Sequence, residues 1–274
     1  MSDPHPTATP PDPPELPPAT LVVGDAGSEP LDVIAVGAHP DDVEIGCGAT
    51  LSVLAARGAR VGIVDLTDGE PTPRSSGPAE RFREAERATR LLGAVHREIL
   101  GFPNRRLFDD FAVRVALARV LRRHRPRVVL ALGDKTPLAS PDHAQAVAIC
   151  EAALFYARLC KWDAVFAGLP VHVVPQFLSY FLSPAVPHVP PGHFPLVVDV
   201  AGHLERKLEA IAAYRSQFPP EKAHVFDRVR AAAAVVGAMA GCPAGELLAS
   251  ARVPCTADPL AALFPAPAPA PVGR

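Results

Sequence analysis

The chain has 274 residues, a hydrophobic fraction of 49% and a formal net charge of −2 at pH 7. This length suggests one domain with short appendages, and the apolar fraction is sufficient for a large core. The small net charge gives no reason to expect a nucleic acid or an anionic membrane as a partner. The chain has no run of 18 apolar residues, so we expect no membrane span. The N-terminus lacks the basic and apolar segments of a signal peptide.

Proline is concentrated at the two ends of the chain. Residues 1–29 hold eight prolines within their first 18 positions, and residues 259–274 are rich in proline and alanine. Segments of this composition lack an apolar pattern with which to form a core. The sequence therefore predicts two disordered arms flanking a single domain at residues 30–258.

Between the arms, apolar runs alternate with helical patterns. Such alternation favours an α/β fold, a three-layer sandwich with a Rossmann-like, mostly parallel sheet. The predicted strands are 32–37, 60–67, 96–101, 127–132, 170–182 and 195–200, and the predicted helices are 46–58, 79–93, 109–124, 142–160 and 202–216.

Five cysteines are scattered along the chain without a CxxC pair. An odd number of widely spaced cysteines fits reduced thiols better than a disulfide framework. We therefore expect a cytoplasmic protein. Cys47, which lies between two glycines, is interpreted as a small packing residue rather than a nucleophile.

A first polar cluster, His39-Pro40-Asp41-Asp42, directly follows the first apolar run. Pro40 cannot donate to a sheet and ends the strand, so the cluster lies at the carboxyl end, where open α/β sheets bind ligands. Burial of ionisable side chains at this position costs free energy unless a partner compensates their charge. A divalent metal held by His39 and Asp42 would be such a partner. A turn in which an aspartate caps the next helix explains the same residues, so both interpretations stay open at this point.

A second cluster, Ser140-Pro141-Asp142-His143, follows the apolar strand at 127–132 and begins a helix. Clusters at the carboxyl ends of two strands of one sheet can converge. His39, Asp42 and His143 would then provide two imidazoles and a carboxylate, which is a ligand set of catalytic zinc. The alternative is that His143 is merely exposed in the first turn of its helix.

These motifs, in this order, resemble the LmbE-like, or PIG-L, family of zinc-dependent N-acetylglucosaminyl deacetylases. The resemblance covers residues 31–250, and it is nearest to the subgroup that deacetylates glucosaminyl-malate in bacillithiol synthesis. It is carried by residues 37–51 (GAHPDDVEIGCGATL), 66–70 (LTDGE), 81–85 (RFREA), 100–103 (LGFP), 141–143 (PDH), 198–199, 207 and 216–217.

The resemblance implies Zn²⁺ as the cofactor, with His39, Asp42 and His143 as its ligands. It implies a small-molecule glycoconjugate as the substrate, with neither nucleic acid nor a membrane as a partner, and it leaves a homo-oligomer open. Asp41 would be the general base of amide hydrolysis.

Other members of the site follow from the same resemblance. Asp142 would be a catalytic residue. Arg81 and Ser140 would bind the substrate, and Arg81 would hold the sugar or its anionic aglycone. Without the resemblance, Arg81 and Glu84 have the spacing of an ordinary surface ion pair on a helix.

Ser140 departs from the family pattern, because most members have a histidine there that is a candidate general acid. Either Asp41 carries the proton to the leaving amine, or a histidine from a later loop substitutes. A second departure is Tyr214, where many members have histidine. The candidate substitutes for the acid are His172, His188 and His193.

Two other functions compete with hydrolysis. Residues 44–48 (EIGCG) resemble the glycine-rich loop of methyltransferases, but such a loop should directly follow an apolar strand. The loss of histidine at Ser140 also suits a family member that binds a glycoconjugate without turnover. Turnover measured with and without a chelator distinguishes these functions.

Overall fold

The computed structural model describes residues 11–19, 21–24, 29–182, 189–253 and 255. Residues 1–10 of the expected N-terminal arm, the expected tail at 259–274, and His188 lie outside these ranges. No helix within the ranges has both the length and the hydropathy needed to cross a bilayer.

Strands and helices alternate through most of the described chain. In chain order they are β1 (Leu21–Val23), β2 (Val33–Gly37), α1 (Asp42–Ala56), β3 (Val61–Thr67), α2 (Pro78–Leu92), β4 (His96–Phe102), α3 (Phe111–His124), β5 (Val128–Leu132), α4 (Asp142–Ala157), β6 (Gln176–Tyr180), β7 (Phe194–Asp199), α5 (Leu204–Ala212), α6 (His224–Ala240) and β8 (Gly245–Ser250).

The described strands form one sheet in the order β1-β4-β3-β2-β5-β6-β8-β7. The central strands β4, β3, β2, β5 and β6 are parallel, whereas β1, β8 and β7 pair antiparallel at the edges. Helices α1, α2 and α5 contact one another, and α3 contacts α4. From β2 the chain crosses to β3 and β4 on one side, and from β5 it crosses to β6 on the other side. Because both kinds of crossover are right-handed, the helices α1 and α2 lie on one face of the sheet and α3 and α4 on the other. The three-layer α/β fold with a mostly parallel sheet is confirmed.

The strand order reverses between β2 and β5. The chain proceeds from β2 to β3 and β4 on one side, and continues with β5 and β6 on the other. Both central strands are apolar and almost wholly buried, as expected for parallel strands covered on two faces. A crevice therefore opens outside the carboxyl ends of β2 and β5, where the two polar clusters begin.

Helix α1 begins at Asp42, earlier than the predicted start near residue 46. The prediction is wrong because the glycines at 46 and 48 lie inside the helix. A Cβ on Gly46 would lie 2.1 Å from the ring of Tyr180, so glycine permits the close approach of β6. Cys47 leaves helical geometry, with φ −142° and ψ 19°, and its side chain is buried as a packing residue.

Helix α6 and strand β8 have no counterpart among the predicted elements. Strand β8 pairs with β6 and β7, and its Glu246 accepts hydrogen bonds from the Ala49 and Thr50 amides of α1. These partners are remote in sequence, so the local pattern around β8 contains no sign of them.

Strand β1 lies within the stretch where the sequence predicts a disordered arm. It pairs antiparallel with β4, with Leu21 opposite Ile99, and Leu16 and Leu21 pack against the core. The structure differs from the expectation here because three apolar residues suffice to cover the edge of a sheet that is already formed.

We expect a chain beginning at residue 30 to melt about 3–6 °C lower than one beginning at residue 20. The shorter chain loses the pairing of β1 and uncovers the edge of β4, a loss of ~1–2 kcal/mol in a domain of this size. Thermal unfolding of the two chains measures the difference. Equal melting temperatures would show that β1 contributes nothing to stability.

Candidate metal centre and substrate cleft

His39, Asp42 and His143 converge in the crevice between β2 and β5. Their candidate ligand atoms all lie within 4.8 Å of one another. His39 Nδ1 is 3.4 Å from Asp42 Oδ2, and His143 Nε2 is 3.3 Å from Asp42 Oδ1. The carboxylate therefore lies between the two rings and faces each ring with a different oxygen, and a tetrahedral zinc would take one of these oxygens as its ligand.

Asp42 does not act as a helix cap. Its Oδ2 accepts hydrogen bonds from the Ala38 amide at 3.0 Å and the His39 amide at 2.9 Å, both in the preceding turn. The residue at the cap position, Asp41, makes no side-chain capping bond. The structure therefore favours the metal interpretation of this cluster over the capping turn.

His143 is buried and oriented, which excludes the alternative of an exposed residue in a first turn. Its Nδ1 lies 2.8 Å from Thr136 Oγ1, and this contact leaves Nε2 turned toward Asp42. A hydrogen bond on one ring nitrogen that fixes the other nitrogen is typical of metal-binding histidines.

Asp142 orients His39 from the other side. Its Oδ2 lies 3.2 Å from His39 Nε2 and accepts a hydrogen bond from the Arg105 amide at 2.7 Å. Burial lowers the pKa of the His39 imidazole, but hydrogen bonds to Asp142 and Asp42 outweigh burial and raise it to about 10. Binding of a metal by this ring therefore requires the release of a proton.

Asp41 adopts a backbone conformation that few residues other than glycine adopt, with φ 118°. Its carboxylate lies beside the cleft, 3.9 Å from Arg81 Nη2. Burial raises the pKa of Asp41 to about 7, although the neighbouring Arg81 opposes the shift. Backbone strain of this kind occurs often at functional sites, so the turn itself marks Asp41 as a functional candidate.

These residues line one cleft of about 350 Å³. Asp142 is absent from its wall because it lies behind His39. The predicted site residues in the wall are His39, Asp41, Asp42, Arg81, Ser140 and His143. Among the other polar members, Gln217 belongs to a motif of the resemblance, whereas the sequence did not point to Thr72, Asn104, Arg105 or Thr136.

Comparisons with known proteins give the same family as the motifs. The PIG-L family model, described as GlcNAc-PI de-N-acetylase, matches residues 34–154. An inositol N-acetylglucosaminide deacetylase (1D-myo-inositol 2-acetamido-2-deoxy-alpha-D-glucopyranoside deacetylase 2) from Saccharopolyspora erythraea is 31% identical over 66% of this chain and 82% of its own length. This chain belongs to the PIG-L family.

Two further relatives support the assignment. The diacetylchitobiose deacetylase of Thermococcus kodakarensis is 29% identical over 76% of this chain and 79% of its own length. The crystal structure of a conserved protein from Thermus thermophilus is 33% identical, covers 84% of this chain and 98% of its own, and superposes with a TM-score of 0.71. The likeness to the PIG-L family thus extends well beyond the matched motifs.

Arg81 of this PIG-L chain is not part of a surface ion pair. Arg81 is 1% and Glu84 7% exposed, so the surface interpretation is wrong. Nη2 of Arg81 donates to the Pro40 carbonyl at 2.5 Å, whereas Nε and Nη1 have no hydrogen-bond partner. Glu84 accepts hydrogen bonds from the amide and hydroxyl of Ser216, and its Oε2 lies 3.7 Å from Arg81 Nη1. Nε lies 3.8 Å from Glu70 Oε1, so the buried guanidinium is surrounded by acidic side chains in the cleft wall.

The histidines considered as substitutes for the missing acid do not line the cleft in the described part of the chain. His172 Nε2 lies 2.8 Å from the carbonyl of Pro126, which precedes β5. This ring therefore lies at the amino ends of the parallel strands, away from the cleft at their carboxyl ends. His193 Nδ1 lies 3.4 Å from the Pro191 carbonyl. Tyr214 donates its hydroxyl proton to Glu44. Among the described lining residues, Asp41 is the one carboxyl or imidazole group outside the candidate ligand set.

The glycine-rich stretch at 44–48 does not form a nucleotide-binding loop. It lies inside α1, and Glu44 is buried in an ion pair with Arg97 at 2.6 Å. The methyltransferase interpretation is therefore wrong for the PIG-L chain.

Proposed function

We propose that the protein is a Zn²⁺-dependent hydrolase that removes the N-acetyl group from a small N-acetylglucosaminyl conjugate. The observation that carries the proposal is the convergence of His39, Asp42 and His143 in one cleft with Asp41 beside them. The names of the relatives as deacetylases agree with this chemistry.

Each side chain has a role that follows from its position. His39, Asp42 and His143 would hold the ion, and Zn²⁺, when bound, would polarise the amide carbonyl and lower the pKa of water. Asp142 would keep the His39 ring in place.

Asp41 would move the proton during the reaction. Its carboxylate would take a proton from the attacking water and deliver it to the departing amine, because the described cleft wall has no other carboxyl or imidazole group outside the proposed ligand set. Arg81, which lines the cleft, would bind a hydroxyl or an anionic group of the substrate. Ser140 would contribute a hydrogen bond rather than a proton.

A second, larger groove suggests where the remainder of the conjugate binds. It measures about 820 Å³ and shares Ile45, Thr136 and Leu182 with the first cleft. Its walls are largely apolar and come mainly from α6 and β8. Its charged residues are of both signs, and Lys207 is paired with Glu246 at 2.6 Å. This composition favours an aglycone with an apolar part. N-acetylglucosaminyl conjugates of malate, inositol and a second sugar form the screen that identifies it.

We expect His143→Ala to lower the zinc content of the purified protein by about one ion per chain and to abolish deacetylation. The variant removes one of three ligands, and two ligands hold zinc weakly. Elemental analysis and acetate release measure the two effects. His172→Ala is the matched control, because that ring lies at the amino ends of the parallel strands, away from the cleft. Retention of both zinc and activity in His143→Ala would refute the assignment.

A family member that binds glycoconjugates without turnover is the remaining rival. It predicts no acetate release from any conjugate in the screen, with zinc or without it. Release that stops on chelation and resumes on addition of zinc would support the hydrolase.

A further inference from the structure

A second group of metal-ligating side chains lies outside the cleft. His96 and Glu98 come from β4 and are two residues apart, so both point to the same face of the sheet. His124 is the last residue of α3 and meets them there. The candidate ligand atoms of these three residues lie within 4.8 Å of one another.

The cluster is buried, with exposed fractions of 4% for His96, 5% for Glu98 and 5% for His124. The two imidazole rings have centroids 4.5 Å apart. His96 Nε2 lies 3.8 Å from Glu98 Oε2, which is too long for a hydrogen bond.

Three nitrogens in this cluster have no hydrogen-bond partner. They are both ring nitrogens of His96 and Nε2 of His124. A buried polar atom without a partner destabilises the fold, and native proteins seldom leave several together. Two imidazoles and a carboxylate that face one another without bonds among themselves need a common partner.

We propose that His96, Glu98 and His124 form a second metal site, which binds a divalent transition ion such as Zn²⁺. Two histidines and one glutamate are a known zinc ligand set. A tetrahedral ion needs ligand atoms about 3.4 Å apart, so the His96–Glu98 pair would close by only a few tenths of an ångström.

Arg123 does not replace such an ion. Its Nη1 contacts Glu98 Oε1 at 3.3 Å and Oε2 at 3.1 Å, and its side chain is 49% exposed. It therefore approaches the carboxylate from the solvent side and leaves the histidine nitrogens unsatisfied.

The site would stabilise the fold rather than take part in the reaction. His96 is the first residue of β4 and lies at the amino ends of the parallel strands, whereas the cleft lies at the carboxyl ends of β2 and β5. An ion here would tie the beginning of β4 to the end of α3. β1, which pairs with β4 opposite Glu98, lies next to it.

The test separates this site from the one in the cleft. His143→Ala lacks a ligand of the first site, so metal-stripped His143→Ala is titrated with Zn²⁺ and its bound metal counted by elemental analysis after desalting. We expect one ion per chain, and none in the double variant His96→Gln/His143→Ala. We also expect excess Zn²⁺ to raise the melting temperature of His143→Ala by about 5 °C and to leave the double variant unchanged.

Glu98→Gln provides a second, nearly isosteric variant if His96→Gln does not fold. In the otherwise unaltered chain it should lower the metal content from two ions to one and leave deacetylation intact. Co²⁺ in place of Zn²⁺ gives the single-site variants a visible spectrum that reports nitrogen and oxygen ligands. Failure of metal-stripped His143→Ala to bind micromolar Zn²⁺, or binding that persists in the double variant, would overturn the second site without affecting the proposal for the cleft.

Discussion

Replacement of Asp41 by asparagine is expected to lower kcat by ~10²–10⁴-fold while the protein keeps its fold and its zinc. The change removes one negative charge and the capacity to accept a proton, but it preserves the size of the side chain. Asp41 is the one carboxylate of the described cleft wall that the candidate ligand set does not use. No second group is therefore in position to take over proton transfer. Acetate release and zinc content, measured on the same sample, test this expectation.

Asp42→Asn is the matched control, because the same chemical change is made one residue away. Asp42 contacts both candidate histidine ligands, so this variant should lose the zinc of the cleft and activity together. Asp41→Asn with near-normal turnover, or with depleted zinc, would show that Asp41 is not the base.

Replacement of Arg97 by methionine is expected to lower the melting temperature by about 10 °C. Arg97 is fully buried, and its guanidinium donates to Glu44 Oε1 at 2.6 Å, Asp65 Oδ2 at 2.6 Å and Asp65 Oδ1 at 2.9 Å. Without it, two buried carboxylates lack their counter-charge, which costs ~3–5 kcal/mol. Burial already raises the pKa of Asp65 to about 6 despite the opposing effect of Arg97. Thermal unfolding measures the loss.

Arg90→Met is the control for Arg97→Met. Arg90 pairs with Glu86 one helical turn away, and its side chain is 68% exposed. Exposed pairs of this kind contribute at most ~1 kcal/mol, so Arg90→Met should shift the melting temperature by about 3 °C or less. Similar melting temperatures for the two variants would mean that water or backbone groups can satisfy Glu44 and Asp65.

The parallel core of the sheet and the candidate ligands could be predicted from local patterns in the chain. The buried runs that became β2 and β5 are apolar throughout, and β3 is apolar except at Asp65 and Thr67, which is the pattern of strands covered on both faces. His39 and Asp42 could be singled out because they follow such a run within a few residues, and His143 because it begins the helix after the next such run; the resemblance to the family added their roles as ligands. The rule that open sheets bind ligands at their carboxyl ends then brought them together.

Contacts between segments distant in the chain could be known only from the folded structure. Asp142 contacts His39 across 103 positions, and Tyr214 donates to Glu44 across 170. Neither contact leaves a local pattern, so Asp142 could not be recognised as the partner of His39. The same holds for β8, whose partners are remote, and for β1, whose three residues form a strand only against a sheet edge that the rest of the chain has built. Hydrophobic periodicity records the burial of a segment along its own length, whereas a buried polar contact depends on which distant segment the fold brings opposite it.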